Sequence, residues 1–231
     1  MNCPTIDPIN ILVTHPDPLL RAGLVSALRD YGSFVVFVDE EMTANTSASR
    51  IDVVITDYIQ AMRLADPSIR TSRRIPADAR IMAVTCDDRE ADIRRAIEAG
   101  VHGYLLLGGP LSDLFEGVTL VAKGVRYLGR SVAQRMADSL SRAPLTSREV
   151  EVLRLMMTGE SNKTIARRLH IELGTVKSHM TAIMAKIGAT SRTQAAGIAA
   201  SRGLVEEQWP SDNASFVVPH AKPADIWVQY A

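Results

Sequence analysis

Cysteine is nearly absent from the chain, which has only Cys3 and Cys86 among 231 residues. These two residues lie far apart and match no spacing of metal ligands, so the sequence indicates neither a disulfide framework nor a zinc site. We therefore expect a protein of a reducing compartment that binds no metal and no cofactor.

Long apolar runs are missing as well. None approaches the roughly 20 residues that a membrane-spanning helix requires. The N-terminal sequence MNCPTIDPIN has neither the basic start nor the apolar core of a signal peptide. We expect a soluble, cytoplasmic protein without a membrane partner.

The chain has no net charge, since its formal charge at pH 7 is +0, but its charges are unevenly distributed. Residues 144–203 contain nine cations and four acids, a net charge of +5, so the rest of the chain carries −5. A chain of 231 residues is long enough for two domains of about 100 residues each. The charge asymmetry indicates one domain that faces nucleic acid and one that does not.

The first half of the chain alternates short apolar runs with helical patterns. The runs are rich in Val and Ile without polar alternation, which is typical of strands buried on both faces of a parallel sheet. This predicts a doubly wound α/β domain with its site at the carboxyl ends of the strands. The predicted strands span residues 9–14, 34–38, 52–56, 80–84 and 103–107, and the predicted helices span residues 18–31, 89–99 and 111–123.

The residues at these carboxyl ends are His15, Asp17, Asp57, Thr85 and Leu107. Three segments of this region, IDVVITD ending in Asp57, ARIMAVT ending in Thr85, and EAGVHGYLLL with Tyr104, resemble the receiver domain of bacterial two-component response regulators. The resemblance covers about residues 9–123. It implies a flavodoxin-like receiver domain over residues 1–123.

In receiver domains an Asp at the end of the third strand accepts a phosphoryl group from a histidine kinase. Two acidic residues after the first strand help to hold Mg²⁺, and a Thr or Ser and a Lys end the fourth and fifth strands. Asp57 and Thr85 match this pattern. Tyr104 resembles the aromatic residue that moves between an inner and an outer position, and a Tyr packed at a sheet edge is the alternative.

The match fails where the metal ligands and the Lys are expected, because the acidic pair falls on His15 and Pro16 and the Lys on Leu107. Mg²⁺ requires hard oxygen ligands, and phosphoryl transfer needs counter-charges. We therefore predict an atypical receiver in which Asp57 is phosphorylated inefficiently or not at all and instead caps the following turn. Asp17 is near enough in sequence to replace one ligand, and we expect His15 to be a partly exposed loop histidine.

Residues 124–143 are predicted to be a linker with a helical part. Gly124 and Gly129 are followed by a polar helical stretch over residues 131–141, and Pro144 closes the segment.

The next part of the chain contains a succession of helix signals. Thr146 and Glu149 form a capping box, in which each side chain satisfies the backbone N–H of the other residue. Ser161 is placed to cap a second helix, and Ser191 with Gln194 predicts a further capping box. Four short helices with a tight turn between the second and third describe a helix-turn-helix domain.

The third of these helices, predicted over residues 174–187, is amphipathic. Short polar side chains beside a cation allow a close approach to a DNA major groove, although an ordinary surface helix has the same pattern. At 3.6 residues per turn, one side carries Val176, Met180, Ile183 and Ile187, and the other carries Lys177, Ser178, Thr181, Ala182 and Ala185.

The run LTSREVEVLRLMMTGESNKTIARRLHIELGTVKSHMTAIMAKI, followed by SRTQAA, resembles the DNA-binding domain of LuxR-type (NarL/FixJ) regulators. The resemblance implies an all-α helix-turn-helix domain of four helices over residues 144–203, bound to double-stranded DNA at a two-fold symmetric operator. It further implies that Lys177, Ser178 and Thr181 enter the major groove. Thr175 and Lys163 would grip the DNA backbone. The homodimer surface would be formed by Ala195, Ala196, Ile198 and Ala199.

Residues 204–231 lie beyond the usual end of this domain and contain both tryptophans, Trp209 and Trp227. A disordered tail and a segment that docks on a domain or on a partner chain are the two interpretations.

Three functions are compatible with these features. The one we favour is a DNA-binding transcription regulator, not an enzyme, controlled independently of phosphorylation through dimerisation, a small ligand or a partner protein at the receiver. The second is a conventional histidine-kinase-dependent response regulator phosphorylated on Asp57. The third is a doubly wound enzyme with Asp57 as nucleophile, which lacks an accompanying second catalytic carboxylate, glycine-rich phosphate loop or Lys.

Overall fold

The computed structural model of the protein describes residues 8–38, 50–73 and 75–205. Within these residues, an α/β domain precedes a domain of four helices, as predicted. The interpretations of residues 204–231 fall almost wholly outside the described residues, since only Leu204 and Val205 of that segment belong to them.

The first domain is built on a six-stranded, all-parallel sheet with the strand order β2-β1-β3-β4-β5-β6. The chain extends the sheet from β1 first in one direction and then in the other, which defines a doubly wound topology. Each of the five predicted strands is present, with its ends shifted by no more than one residue. The strands are β1 (Ile9–Val13), β2 (Phe34–Val38), β3 (Val53–Thr56), β4 (Arg80–Thr85), β5 (Gly103–Leu106) and β6 (Tyr127–Leu128).

Helices cover both faces of this sheet and create a core on each face. Ile11 and Val13 point into a core beneath α1 (Pro18–Arg29) and α5 (Leu111–Ala122), here called the α1/α5 core. Leu12 points to the other face, into a core beneath α2 (Tyr58–Leu64) and α4 (Glu90–Glu98), here called the α2/α4 core. This division explains why the strands lack polar alternation. The helices are α1 (Pro18–Arg29), α2 (Tyr58–Leu64), α3 (Pro67–Ser72), α4 (Glu90–Glu98) and α5 (Leu111–Ala122).

Helix α5 lies close to the sheet because two glycines permit the approach. A Cβ atom at Gly117 would lie 2.8 Å from both Met82 Cε and Tyr127 Cδ1, and one at Gly103 would lie 2.8 Å from Met82 Cγ. These separations are shorter than real contacts of a Cβ atom. The glycines therefore set the distance between α5 and the adjacent strands, β4 and β5.

The segment predicted as a linker contributes to the first domain. Tyr127–Leu128 pairs with β5 as the sixth strand, which the sequence analysis did not predict. The predicted helical part is present as α6 (Arg130–Leu140). Helix α6 packs against α4 and β5, and Val132 is fully buried in the α2/α4 core. At least this part of the segment is therefore fixed to the receiver.

The second domain comprises α7 (Ser147–Met157), α8 (Asn162–Leu169), α9 (Leu173–Ile187) and α10 (Arg192–Arg202) around one core. The Thr146–Glu149 capping box is confirmed, with both reciprocal bonds present. The capping box predicted at Ser191 is only half formed. Ser191 accepts from the backbone N–H of Gln194, but Gln194 Oε1 accepts from the N–H of Thr190 instead.

No helix within the described residues is both long enough and apolar enough to span a bilayer.

Candidate DNA-binding surface and receiver site

Helix α9 has one buried side and one exposed polar side. Its inward side chains are those predicted from the periodicity: Val176, Met180, Ile183 and Ile187. Lys177, Ser178 and Thr181 are exposed on the other side. Thr181 Oγ1 donates to the carbonyl of Lys177 at 3.1 Å, so its hydrogen is used internally and its lone pairs remain available to a donor.

The two residues predicted to contact the DNA backbone, Lys163 and Thr175, lie near the starts of neighbouring helices. Lys163 is in the first turn of α8, Thr175 is in the first turn of α9, and both are exposed. Arg167 is exposed as well, and together with His170 and Thr175 it lines an open depression between α8 and α9. Sequence reasoning missed Arg167, although its place four residues after Lys163 puts it on the same side of α8.

A left-handed residue makes the turn between α8 and α9. His170 has φ 53°, and no other non-glycine residue in the described ranges has a positive φ. Its N–H bonds back to the last turn of α8, and Ile171 N–H donates to the carbonyl of Ala166 at 3.0 Å. The chain therefore reverses within a few residues, and α9 begins at Leu173 against the end of α8.

Arg192, at the start of α10, forms hydrogen bonds with residues of the first two helices of the domain and of the turn between them. Its guanidinium donates to the carbonyls of Met156 and Glu160 and, at 3.3 Å, to Asn162 Oδ1. These carbonyls lie at and just beyond the end of α7, where helix carbonyls lack intrahelical partners. The bonds fix the start of α10 relative to the turn between α7 and α8.

The predicted dimer surface on α10 is wrong for two of its four residues. Ala195 and Ala199 are fully buried in the core of their own domain, while Ala196 and Ile198 are half-buried. Residues four apart share one side of a helix, and this side packs inward. A partner that contacts α10 therefore meets its exposed side, which carries Thr193, Gln194, Gly197, Ala200 and Ser201.

Asp57 is the carboxylate at the end of β3 and, as predicted, caps the following helix. Its Oδ1 accepts from the backbone N–H of Gln60 at 2.8 Å. The pKa of Asp57 is raised above its ordinary value because burial disfavours the charged form. The Gln60 hydrogen bond and the charge of His15 act in the opposite direction, and the charge of Asp87 adds to the rise.

His15 is buried, with 5% of its surface exposed, so the prediction of a partly exposed loop histidine was wrong. Its Nδ1 accepts from the backbone N–H of Asp17 at 3.1 Å, and this bond holds the imidazole against the turn after β1. The carboxylate of Asp17 in turn caps α1, with Oδ1 accepting from the N–H groups of Leu19 at 2.8 Å and Leu20 at 3.0 Å. Asp17 therefore has a structural role at the start of α1.

Thr85 and Tyr104 meet at Asp87, a residue that sequence reasoning missed. Thr85 Oγ1 lies 3.0 Å from Asp87 Oδ2 and accepts from the N–H of Asp87 at 3.1 Å. The hydroxyl of Tyr104 donates to the Asp87 carbonyl at 2.8 Å, and the ring is buried. Burial and the nearby Asp87 charge raise the pKa of Tyr104 far above its ordinary value, so its hydroxyl stays a donor. Tyr104 therefore occupies the inner of its two expected positions.

Leu107 occupies the position where the receiver pattern has a Lys. Its side chain is half-buried and packs against the α1/α5 core, and its N–H donates to the Thr85 carbonyl at 2.9 Å. Leu107 therefore supplies no positive charge at the carboxyl end of β5. Across the described parts of the chain, no three His, Cys, Asp or Glu side chains are grouped so that they could hold a metal ion.

The loop between β4 and α4, residues 86–89, continues from Asp87 toward the second domain. Asp88 forms an ion pair with Arg135 of α6 at 2.5 Å. Just after the loop, Glu90 pairs at 3.1 Å with Arg142, which follows α6. A Cβ atom added at Gly203, at the end of α10, would lie 3.6 Å from Arg89 Cβ and 3.3 Å from Ala91 Cβ, so this loop lies close to the end of α10. One short loop therefore contacts Tyr104, α6 and the end of the helix-turn-helix domain.

Among known proteins, one family matches the second domain, and relatives cover both domains together. The family described as bacterial regulatory proteins, luxR family, matches residues 143–199. A transcriptional regulatory protein of Bacillus subtilis, YvfU, is 35% identical over 194 residues, which are 82% of this chain and 96% of that protein. The nitrate/nitrite response regulator protein NarP of Escherichia coli is 31% identical over 203 residues, 83% of this chain and 94% of that one. A solved structure of the RcsB response regulator of Salmonella typhimurium shares the fold, with a TM-score of 0.64 at 20% identity over 83% of this chain and 99% of that one.

A doubly wound receiver joined to a helix-turn-helix domain defines a DNA-binding response regulator. The chain belongs to the LuxR-type (NarL/FixJ) family of response regulators, whose members regulate transcription. The predicted fold class and family are thereby confirmed. The roles of the individual site residues remain predictions.

Proposed function

We propose that the chain binds a two-fold symmetric operator as a homodimer and reads it with α9. The observation that carries the proposal is the shared exposure of Lys177, Ser178 and Thr181 on a helix whose other side is buried. The short hydroxyl side chains of Ser178 and Thr181 can contact base edges, and the ammonium group of Lys177 can bind phosphate or guanine. Lys163 and Arg167 are exposed on α8 and Thr175 in the first turn of α9, and we expect these residues to hold the phosphate backbone.

The direct test is selection from a pool of random DNA duplexes by the full-length chain. The expected product is an inverted repeat, because a two-fold protein dimer selects a two-fold DNA site. Selection of a site without symmetry would contradict the dimer, and the absence of any enriched sequence would contradict specific recognition.

Replacing Lys177 with Ala is expected to weaken DNA binding about tenfold at moderate salt. Loss of one phosphate contact also reduces the slope of log K against log salt by about 1, because fewer counterions are released. Quantitative footprinting of the selected duplex at several salt concentrations measures both effects. Lys123→Ala, which removes an exposed cation from the receiver, is the matched control. An unchanged affinity for Lys177→Ala would show that α9 presents another side to DNA.

We propose further that the receiver is controlled independently of phosphorylation, through dimerisation, a small ligand or a partner protein. The proposal is supported by the buried His15, whose charge acts on Asp57, and by the apolar Leu107 at the position of the Lys. Phosphorylation on Asp57 is the second candidate function. It is favoured by the retained carboxylate at the end of β3, which is half-buried, and by the pairing of β3 with β4, the strand that ends in Thr85.

The loop between β4 and α4 is the proposed route from the receiver to the DNA-binding domain. If Arg135 and Arg142 are both replaced with Ala, α6 and the residues just after it lose their ion pairs with Asp88 and Glu90. Partly exposed pairs each contribute about 0–1 kcal/mol, so amide hydrogen exchange in α6 is expected to accelerate about fivefold. Gln134→Ala, which removes a bond within α6, is the control. Unchanged exchange in the double variant would show that these two ion pairs do not hold α6 to the loop.

A further inference from the structure

Two adjacent residues of α7 form hydrogen bonds on either side of α9, one with the chain just before this helix and one with its last turn. Arg148 Nη2 donates to the carbonyl of Leu169, at the end of α8, at 2.7 Å. Glu149 Oε2 accepts from Lys186 Nζ, in the last turn of α9, also at 2.7 Å. Helix α7 therefore contacts the chain both just before α9 and near its end.

Glu149 is a buried carboxylate, one oxygen of which accepts two hydrogen bonds. Only 5% of its surface is exposed, and the oxygen that accepts from Lys186 also accepts from the Thr146 N–H at 2.7 Å. Burial alone would raise the pKa of Glu149, but the hydrogen bonds from Lys186 and Thr146 outweigh it and hold the pKa below its ordinary value. The carboxylate is thus charged at neutral pH and joins the start of α7 to the end of α9.

Such a bond constrains α9 in a way that its apolar contacts do not. Val176, Met180 and Ile183 are held by burial, which is non-directional and tolerates small rotations and shifts of the helix. Hydrogen bonds to charged groups are short and directional. Base contacts of Ser178 and Thr181 depend on the orientation of α9, whereas phosphate contacts of flexible cations adapt to small shifts.

We propose that Glu149 and Lys186 are positioning residues that fix the orientation of α9 and with it the discrimination between operator and other DNA. This role rests on the proposed reading of DNA by α9. A direct DNA contact by Lys186 would have different consequences. Loss of the Lys186 cation would then weaken binding to every duplex, and loss of the Glu149 carboxylate would not weaken binding.

The experiment uses the full-length chain with two probes, the duplex selected from the random pool and a scrambled duplex of the same length. Glu149→Gln keeps an acceptor for the Thr146 N–H and removes the charge, and Lys186→Met keeps the length of the side chain. In each variant the ratio of the two affinities is expected to fall about tenfold, with affinity for the scrambled duplex and its salt dependence unchanged. The double variant is expected to lose no more than either single variant, because both act through one bond. Lys186→Arg is expected to recover most of the ratio.

Residual dipolar couplings of the α9 amides, measured on the free protein, report the orientation without DNA. Both single variants are expected to change these couplings in the same way, while circular dichroism shows wild-type helix content. Unchanged couplings, or an unchanged affinity ratio for Glu149→Gln, would overturn the positioning role. Changed couplings in a protein that selects no sequence would instead overturn the proposed reading of DNA.

Discussion

Replacing Ser178 with Glu is expected to abolish recognition of the selected duplex, with a loss in affinity of about 100-fold or more. Ser178 is exposed between Lys177 and His179 on α9, on the side turned away from the domain core. In the proposed complex a carboxylate there faces the phosphates and base edges of the groove, and like-charge juxtaposition at an interface costs several kcal/mol. About 1.4 kcal/mol corresponds to each factor of ten in affinity, so two such factors are a lower bound.

The fold is expected to survive this substitution, because the side chain at position 178 makes no contribution to the core. Ser131→Glu is the matched control, since it places the same charge on an exposed position of α6 in the receiver. Fluorescence anisotropy of the labelled duplex measures both variants, and thermal unfolding checks that they remain folded. Wild-type affinity in Ser178→Glu would remove α9 from the DNA interface and with it the central part of the proposed function.

The sequence predicted the elements whose pattern is set by burial. The five longer strands and α9 follow from the spacing of Val, Ile and Met, because a strand buried on both faces or a helix buried on one side leaves a direct trace in the chain. The sixth strand is two residues long, Tyr127–Leu128, and has no pattern of its own. It forms because β5 offers an edge there, which is a property of the assembled sheet.

The site was less predictable where tertiary contacts decide. His15 reads as a polar loop residue but is buried, and its hydrogen bond to the backbone of Asp17 compensates for the loss of water. Asp87 has no signal in the sequence, since its role comes from the approach of Tyr104 along a neighbouring strand. Ala195 was assigned to a surface by resemblance alone, although small apolar side chains fit equally well inside a tightly packed domain.

We expect a triple variant to acquire phosphorylation of Asp57. In this variant Asp replaces both His15 and Pro16, and Lys replaces Leu107. With acetyl phosphate and Mg²⁺, we expect stoichiometric labelling of the variant and little or none of the wild-type chain. The new carboxylates supply hard oxygen ligands at the carboxyl end of β1, and the new ammonium group supplies the missing positive charge at the end of β5. Mass spectrometry of the intact protein measures the labelling.

Stability provides an independent measurement on the same variant. A carboxylate in place of His15 replaces a charge that favours ionised Asp57 with one that repels it. The pKa of Asp57 is already raised by burial and by the charge of Asp87, so without metal the added repulsion lowers the melting temperature. Mg²⁺ binding to the folded state reverses this loss, since a ligand that binds only the folded state stabilises it.

Adding Asp57→Asn to the variant should remove the labelling. Stoichiometric labelling of the wild-type chain, or stoichiometric binding of beryllofluoride to it, would contradict phosphorylation-independent control and establish Asp57 as a conventional phosphoacceptor, because His15 and Leu107 would then be compatible with phosphoryl transfer.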